Sequence, residues 1–247
     1  MSAFMAELVG TALLVLFGNG VVCNVLLTRT KGNNAGWITI SAGWGLAVFI
    51  GAFCSVEYSG AHLNPAVTFA MIVAGKFAVG KAITYFIAQF LGAAIGAGLV
   101  YLMYRAHFDI TEDQDSKLAC FATAPAIRNN YQAFICETIG TFALLLPIFL
   151  MASPSISLTG SSESSHVLGL GALGPLPVGL LVLAIGVSLG GTTGYAINPA
   201  RDLSPRLVHA LLPIRGKRDS DWEYAWVPVA GPFLGATLAA IFFRMMT

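Results

Sequence analysis

The tripeptide Asn-Pro-Ala occurs twice, at Asn64-Pro65-Ala66 and at Asn198-Pro199-Ala200, each after a glycine and a short uncharged stretch. Asparagine is a favoured helix N-cap, and proline suits the first helical position. As caps, Asn64 and Asn198 accept from their own helix with the side-chain oxygen, which leaves the amide NH₂ as a donor pointing into a cavity. Each helix start also carries about half a positive charge. Such a site receives a neutral molecule through its oxygen lone pair and repels a cation or hydronium. Arg201 directly follows the second tripeptide, where the first copy has Val67. An arginine within a membrane is costly and usually functional; here it offers fixed N–H donors and a positive charge. The plainer reading is an ion pair with the adjacent Asp202, although neighbours on a helix point in different directions.

These residues need a scaffold that holds two helix starts inside an apolar chain. Of 247 residues, 56% are hydrophobic and 10% charged, whereas a soluble domain carries about 25% charged residues. Apolar runs at roughly 4–27, 38–56, 82–104, 132–152, 173–192 and 225–245 each approach the ~20 residues of a membrane-spanning helix. The runs at 65–75 and 199–210 are shorter, and about eleven helical residues rise only about 16 Å, roughly half a bilayer. The expected fold is therefore all-α, with six transmembrane helices and two re-entrant half-helices in a single domain, 1–247.

The halves, approximately 1–115 and 130–247, share more than the tripeptide. Ala6-Glu7-Leu8-Val9-Gly10-Thr11 aligns with Cys136-Glu137-Thr138-Ile139-Gly140-Thr141, and Phe90-Leu91-Gly92-Ala93 with Phe233-Leu234-Gly235-Ala236. Three spans per half invert the second copy, so the half-helices meet start to start at the repeat interface near the midplane. Glu7 and Glu137 occupy equivalent places on the first helix of each half. A buried carboxylate needs donors, and the irregular backbone before each half-helix has spare N–H groups. A brace for those loops is the favoured reading, and proton coupling the sharper alternative. His62, two residues before Asn64, has Ala196 as its counterpart, which argues against a symmetric proton relay. It reads as a loop residue whose carbonyl faces the pore. Glycines at four-residue spacing, Gly92/Gly96, Gly186/Gly190 and Gly231/Gly235, read mostly as helix-packing sites.

A net charge of +1 shows no basic face for nucleic acid. Cys23, Cys54, Cys120 and Cys136 lack metal-ligand spacing, and Cys120 sits in a loop without an obvious partner. No nucleophile, base and orienting group converge on a motif, so neither enzyme activity nor a metal or cofactor is expected. The polar stretch 105–131 separates the halves, and 153–166 is serine-rich. The loops on the termini's side carry Lys76, Lys81 and Arg244, against Arg29, Lys31, Arg105, Lys117, Arg128, Arg215, Lys217 and Arg218 on the other. By the positive-inside rule alone the termini would lie outside.

The segments Ser59-Gly60-Ala61-His62-Leu63-Asn64-Pro65-Ala66-Val67-Thr68 and Gly194-Tyr195-Ala196-Ile197-Asn198-Pro199-Ala200-Arg201-Asp202 resemble the major intrinsic protein family, the aquaporins and glycerol facilitators. The resemblance covers nearly the whole chain. It implies a right-handed bundle of six tilted helices with two half-helices, a homotetramer with one pore per subunit, and cytoplasmic termini in the plasma membrane (the inner membrane of a bacterium). The four positions that set the family's narrowest point fall on Trp44, Gly186, Tyr195 and Arg201. Water-only members resemble a different pattern, with histidine in place of Gly186 and phenylalanine in place of Trp44. Gly186, Trp44 and Asp202 thus look like the aquaglyceroporin branch, whereas Tyr195 replaces its more usual phenylalanine and Ser204 a common glycine.

The chemistry fits a polyol. Trp44 and Tyr195 would hold the carbons in an aromatic corner. Arg201 and the carbonyls of Gly194, Tyr195, Ala196 and Ile197 would bind hydroxyls, and those of Gly60, Ala61, His62 and Leu63 would continue the acceptor line. The function this implies is a passive channel for glycerol and water, with urea and other small neutral solutes as further candidates. The alternatives are a water-selective channel with an unusual filter, narrowed or polarised by the Tyr195 hydroxyl, and a coupled transporter. An inverted repeat also builds the latter.

Overall fold

The computed structural model describes residues 1–152, 155–156, 166–167 and 169–247; most of the serine-rich stretch lies outside the described residues. Among the described residues, six helices are long and apolar enough to cross a membrane. They include α1 (Ala3–Leu26), α2 (Trp37–Ser59), α4 (Ala82–Ile110), α6 (Asn130–Leu150), α7 (Leu176–Leu189) and α9 (Val227–Met246). Between them lie the short helices α3 (Pro65–Val73) and α8 (Pro199–Leu211), and α5 (Gln114–Ala119) in the central connection. This is the expected plan of six spans and two half-spans.

Two local differences have physical causes. Helix α4 runs about two turns beyond the expected residue 104, because Phe108 on its extension is fully buried between Tyr101 and Phe121, at ring-centroid distances of 5.8 and 5.6 Å. The expectation of an all-α chain held no strand, yet β1 (Ser155–Ile156) pairs antiparallel with β2 (His166–Val167). Two-residue strands are too short to show an alternating pattern in sequence.

The helices turn small residues inward and large apolar ones outward. On α4, Ile83, Ile87, Leu91, Ile95 and Leu102 are exposed, while Ala88, Gly92, Ala93, Gly96 and Ala97 are buried. That arrangement suits a lipid exterior and close helix contact within. A Cβ on Gly92 would lie 2.3 Å from the Leu8 carbonyl oxygen, and one on its counterpart Gly235 would lie 2.3 Å from that of Thr138. Leu8 and Thr138 are themselves counterparts, so the same α1–α4 contact is built again between α6 and α9. Across the halves, α2 meets α7 where Gly45 and Gly179 each press on the other's carbonyl oxygen, at 2.7 and 2.8 Å from the missing Cβ. Cys120, expected to stand alone in the central loop, is buried in the same apolar cluster as Cys23.

Charged side chains on the face opposite the termini are tied into loops. Lys217 donates to the carbonyls of His209, Ala210 and Leu212 at the end of α8, where a cation complements the helix dipole. Arg218 pairs with Asp115. Arg128 donates to both carboxylate oxygens of Asp221 at 2.6 and 2.5 Å, and this bond holds the Asp221 carboxyl below the usual carboxylate range. The resulting stability is fully present above the unfolded pKa of about 4 and is lost as pH falls through the lower native value. Asn tolerates the left-handed backbone at position 221 (φ 53°). Asp221→Asn therefore lowers the unfolding temperature at neutral pH, by an amount that shrinks below about pH 4. Thermal unfolding of both proteins across pH checks this, and a pH-independent gap would refute it.

Candidate functional site: a constriction between two cavities

The half-helices α3 and α8 begin against one another. Asn64 caps α3 by accepting from the Ala66 N–H at 2.8 Å, and Asn198 caps α8 by accepting from Ala200 and Arg201 at 3.0 and 3.2 Å. Both amide nitrogens then cross to the other half. Asn64 Nδ2 donates to the Ile197 carbonyl at 2.8 Å, and Asn198 Nδ2 to the Leu63 carbonyl at 2.9 Å. Capping alone would leave both N–H groups of each amide for the cavity; one of each instead locks the two starts together, leaving one. For the same reason the Leu63 and Ile197 carbonyls, expected to be open acceptors, each already hold one bond. Pro65 and Pro199 occupy the first helical turns, with Ala66 and Ala200 fully buried beside them.

The loop before each start is held open by a left-handed backbone, at Gly60, Ala61 and Leu63 (φ 78°, 51° and 51°) and at Gly194, Tyr195 and Ile197 (φ 80°, 39° and 43°). Non-glycine residues adopt this region at a cost, so the loops need support. Glu7, fully buried, accepts from the N–H groups of His62 (2.9 Å) and Leu63 (2.7 Å), from Ser59 Oγ (2.6 Å) and from Gln89 Nε2 (2.8 Å). Glu137 accepts from Ala196 N (3.0 Å), Ile197 N (2.8 Å) and Thr193 Oγ1 (2.7 Å). The donors are counterparts position by position, except that Gln89 is matched by Pro232, which leaves Glu137 one bond fewer. The His62 ring bonds Thr68 Oγ1 at 3.0 Å and packs on Phe77 and Tyr85.

Two cavities flank these loops. One, of about 240 Å³, opens toward the termini and is lined by Val56, Gly60, Ala61, His62, Leu63, Asn64, Ala196, Ile197 and Asn198, among others. The other, of about 740 Å³, opens on the opposite face between the central loop and α7, with Gly194 on its wall. Three residues line both: Trp44, Tyr195 and Arg201. They form the boundary between the cavities. The Arg201 guanidinium lies 4.0 Å from the Trp44 ring centroid, is buried, and keeps Nη1 without a partner among the described residues. Gly18 makes room for the Trp44 ring, since a Cβ there would lie 2.2 Å from it.

Arg201 does not pair with Asp202. Asp202 accepts from Thr123 N and Oγ1, both at 2.7 Å, and from Arg206 Nε and Nη2 at 2.9 and 2.8 Å. Arg206 is fully buried and spends its other donors on the carbonyls of Ser220, Asp221 and Thr123. This network fastens the central loop and the loop after α8 to the half-helix that carries Arg201. Arg206 and Thr123 were not foreseen, although the Asp202/Arg206 spacing of four was visible on a helical segment. Ser204 donates to the Phe90 carbonyl at 2.7 Å and so ties α8 to α4.

Gly186 lines neither cavity. A Cβ there would meet Tyr195 Oη at 2.8 Å, and one on Gly190 would meet Tyr195 Cδ1 at 2.3 Å. The pair is thus a slot for the Tyr195 ring rather than a helix-packing site. The Tyr195 hydroxyl is buried inside that slot, so it neither narrows nor polarises the cavity. Gly186→His has no room without displacing Tyr195. It is expected to suppress glycerol flux at least tenfold while also lowering thermal stability, since overpacking costs about 1–3 kcal/mol. Flux assays and melting curves on the same preparation test both; unaltered glycerol flux would refute the slot.

A polar boundary between two cavities, held by paired half-helices within six spanning helices, defines a membrane pore protein. A family profile described as "Major intrinsic protein" matches residues 1–243. The chain is 48% identical over 252 residues to a probable glycerol uptake facilitator protein of Thermotoga maritima, covering 100% of both. It is 46% identical over 244 residues to the glycerol uptake facilitator protein of Bacillus subtilis, covering 99% of this chain and 84% of that one. The X-ray structure of the aquaglyceroporin from Plasmodium falciparum superposes with a TM-score of 0.79 at 33% identity, over 97% of this chain and 93% of that one. The chain belongs to the major intrinsic protein family.

Proposed function

We propose that the protein is a passive channel for glycerol and water that excludes ions and protons. The observation that carries this reading is the boundary shared by the two cavities: the aromatic side chains of Trp44 and Tyr195 together with Arg201, which lies on the Trp44 ring and keeps one donor unpaired among the described residues. Glycerol presents carbons along one side and hydroxyls along the other, and the boundary offers a surface to each. Water fits the same opening. A cation meets Arg201 and the two half-helix dipoles at once. The names of the relatives, glycerol uptake facilitators, support the same solute.

In this reading Trp44, Tyr195 and Arg201 form the selectivity filter, with Gly186 acting from behind it. Carbonyls of Gly60, Ala61, His62, Gly194, Tyr195 and Ala196 continue the line of acceptors, weak and repeated so that the solute leaves again. Asn64 and Asn198 donate at its centre. Glu7 and Glu137 brace the loops: their oxygens are taken up by loop donors, which leaves proton coupling without support. The buried Tyr195 hydroxyl removes the reason to expect a water-only filter. Urea and other small neutral solutes are further candidates. The chain acts as one channel domain of two inverted repeats, about 1–115 and 130–247, in a homotetramer of the plasma membrane with cytoplasmic termini.

Influx of labelled glycerol into proteoliposomes tests the passive mechanism. The initial rate should rise in proportion to glycerol concentration and ignore imposed proton or sodium gradients. Saturation with gradient dependence would instead support the coupled transporter.

A further inference from the structure

Helix α7 stops about one turn short of its counterpart α2. It ends at Leu189, whereas α2 runs to Ser59, which corresponds to Thr193. The last four carbonyls of a helix lack partners within it, and here the first of them belongs to Gly186. Gly60 closes α2 by donating its N–H to the Val56 carbonyl, but Gly190 returns no such bond to Gly186 among the described residues. A side chain takes that place. Trp37, the first residue of α2, donates from Nε1 to the Gly186 carbonyl at 2.8 Å. The same indole stands edge-on to the Tyr195 ring, with centroids 5.9 Å apart and planes at 80°. Trp37 lines the larger cavity and is 40% exposed. Tyr195 thus touches α7 through the glycine slot and α2 through Trp37. The other half does without this contact: Trp37 stands as far before Asn64 as Gly171 stands before Asn198, and the counterpart of Tyr195 is Ala61. The scaffold does not need the indole; the half that carries the constriction has it.

We propose that Trp37 is a positioning residue for the constriction: its indole N–H closes the end of α7 and its ring edge keeps Tyr195 seated in the glycine slot. This rests on the assignment of Tyr195 to the filter. Without the indole, the Gly186 carbonyl loses its side-chain donor and the Tyr195 ring loses an edge-to-face neighbour. The ring then leaves the slot for part of the time and intrudes on the passage that it walls. Glycerol, the larger solute, feels that intrusion before water does. A residue at 195 without a ring has nothing to seat, so Trp37 no longer matters to the passage.

The test is a double-mutant cycle in proteoliposomes with Trp37→Ala, Tyr195→Ala and the pair, together with Trp37→Phe, reading glycerol and water permeability on each. Alanine suits the left-handed backbone at position 195, since Ala61 holds the counterpart at φ 51°. Trp37→Phe keeps a ring beside Tyr195 but loses the donor, and should cut glycerol permeability about fivefold. Trp37→Ala loses both contacts and should cut it about twentyfold, with a smaller fall for water. In the Tyr195→Ala background, Trp37→Ala should leave the glycerol-to-water ratio unchanged. An equal loss in both backgrounds overturns the proposal and makes Trp37 a direct solute contact in the larger cavity. An unchanged ratio in Trp37→Ala alone overturns it too. A tryptophan that merely joined α2 to α7 would lower the melting temperature and both permeabilities in the same proportion in every background, so melting curves accompany the fluxes. Should the parent protein pass water but no glycerol, the functional reading fails on its own. The cycle is then decided on water permeability, which should fall in Trp37→Ala and not between Tyr195→Ala and the pair.

Discussion

Arg201→Ala opens the pore to cations. At 4 Å and an effective dielectric constant of about 20, one positive charge raises a cation's energy by about 4 kcal/mol. Its removal is worth up to about a thousandfold in cation flux. The variant also loses the stacking of the guanidinium on Trp44, at 4.0 Å from the ring centroid, a contact of about 2 kcal/mol when desolvated. Without it Trp44 gains freedom, and solutes bulkier than glycerol should pass faster. Conductance in planar bilayers and proton leak reported by a trapped pH dye measure the first effect. Cation exclusion unchanged from the parent would move the barrier inward to the half-helix starts at Asn64 and Asn198, and would remove Arg201 from the filter.

Asp202→Ala unfolds the outer half of the site. It leaves Arg206 buried with an uncompensated charge and strips Thr123 N and Oγ1 of their acceptor. Breaking a buried pair in this way costs about 3–5 kcal/mol, a large share of the stability of any domain. The central loop should loosen, since Thr123 is its attachment to α8. Replacing both partners, Asp202→Ala with Arg206→Met, should recover much of the loss, because the unpaired charge is gone. Thermal unfolding in detergent reads all three variants. A loss under about 1 kcal/mol for Asp202→Ala would mean that water reaches the pair and that the network is not a structural clamp.

The two effects differ in kind because neighbouring residues do different work. Arg201 and Asp202 are adjacent in sequence, but the helix turns one toward the cavity and the other toward the central loop. The sequence shows the adjacency and invites an ion pair; only the rotation of about 100° per residue separates them. The true partner, Arg206, stands one turn on, at the spacing that a helix favours.

The architecture was legible because the bilayer imposes it. Apolar runs of spanning length, two runs too short to span, and a repeated Asn-Pro-Ala left few folds open. The pairing of Glu7 and Glu137 with their loops was legible for the same reason: buried carboxylates need donors, and strained loops have them. What escaped was everything that depends on rotamer and register. The cross-links from Asn64 to Ile197 and from Asn198 to Leu63 require the meeting distance of two helix starts. The slot formed by Gly186 and Gly190 requires the direction of the Tyr195 ring. Gly186, expected among the four positions at the narrowest point, proves to border the very tyrosine expected to narrow the passage. No pattern of residue types distinguishes these cases, because both place a small residue beside an aromatic one.

Stopped-flow light scattering on proteoliposomes tests the central claim most directly, first under a sucrose gradient and then under a glycerol gradient. A glycerol channel shrinks the vesicles fast in sucrose and lets them re-swell fast in glycerol, well above protein-free liposomes, with the glycerol phase suppressed when bulk is added at Gly186. Fast shrinkage in sucrose with re-swelling no faster than in bare liposomes would contradict it, and would make the boundary of Trp44, Tyr195 and Arg201 a filter for water alone.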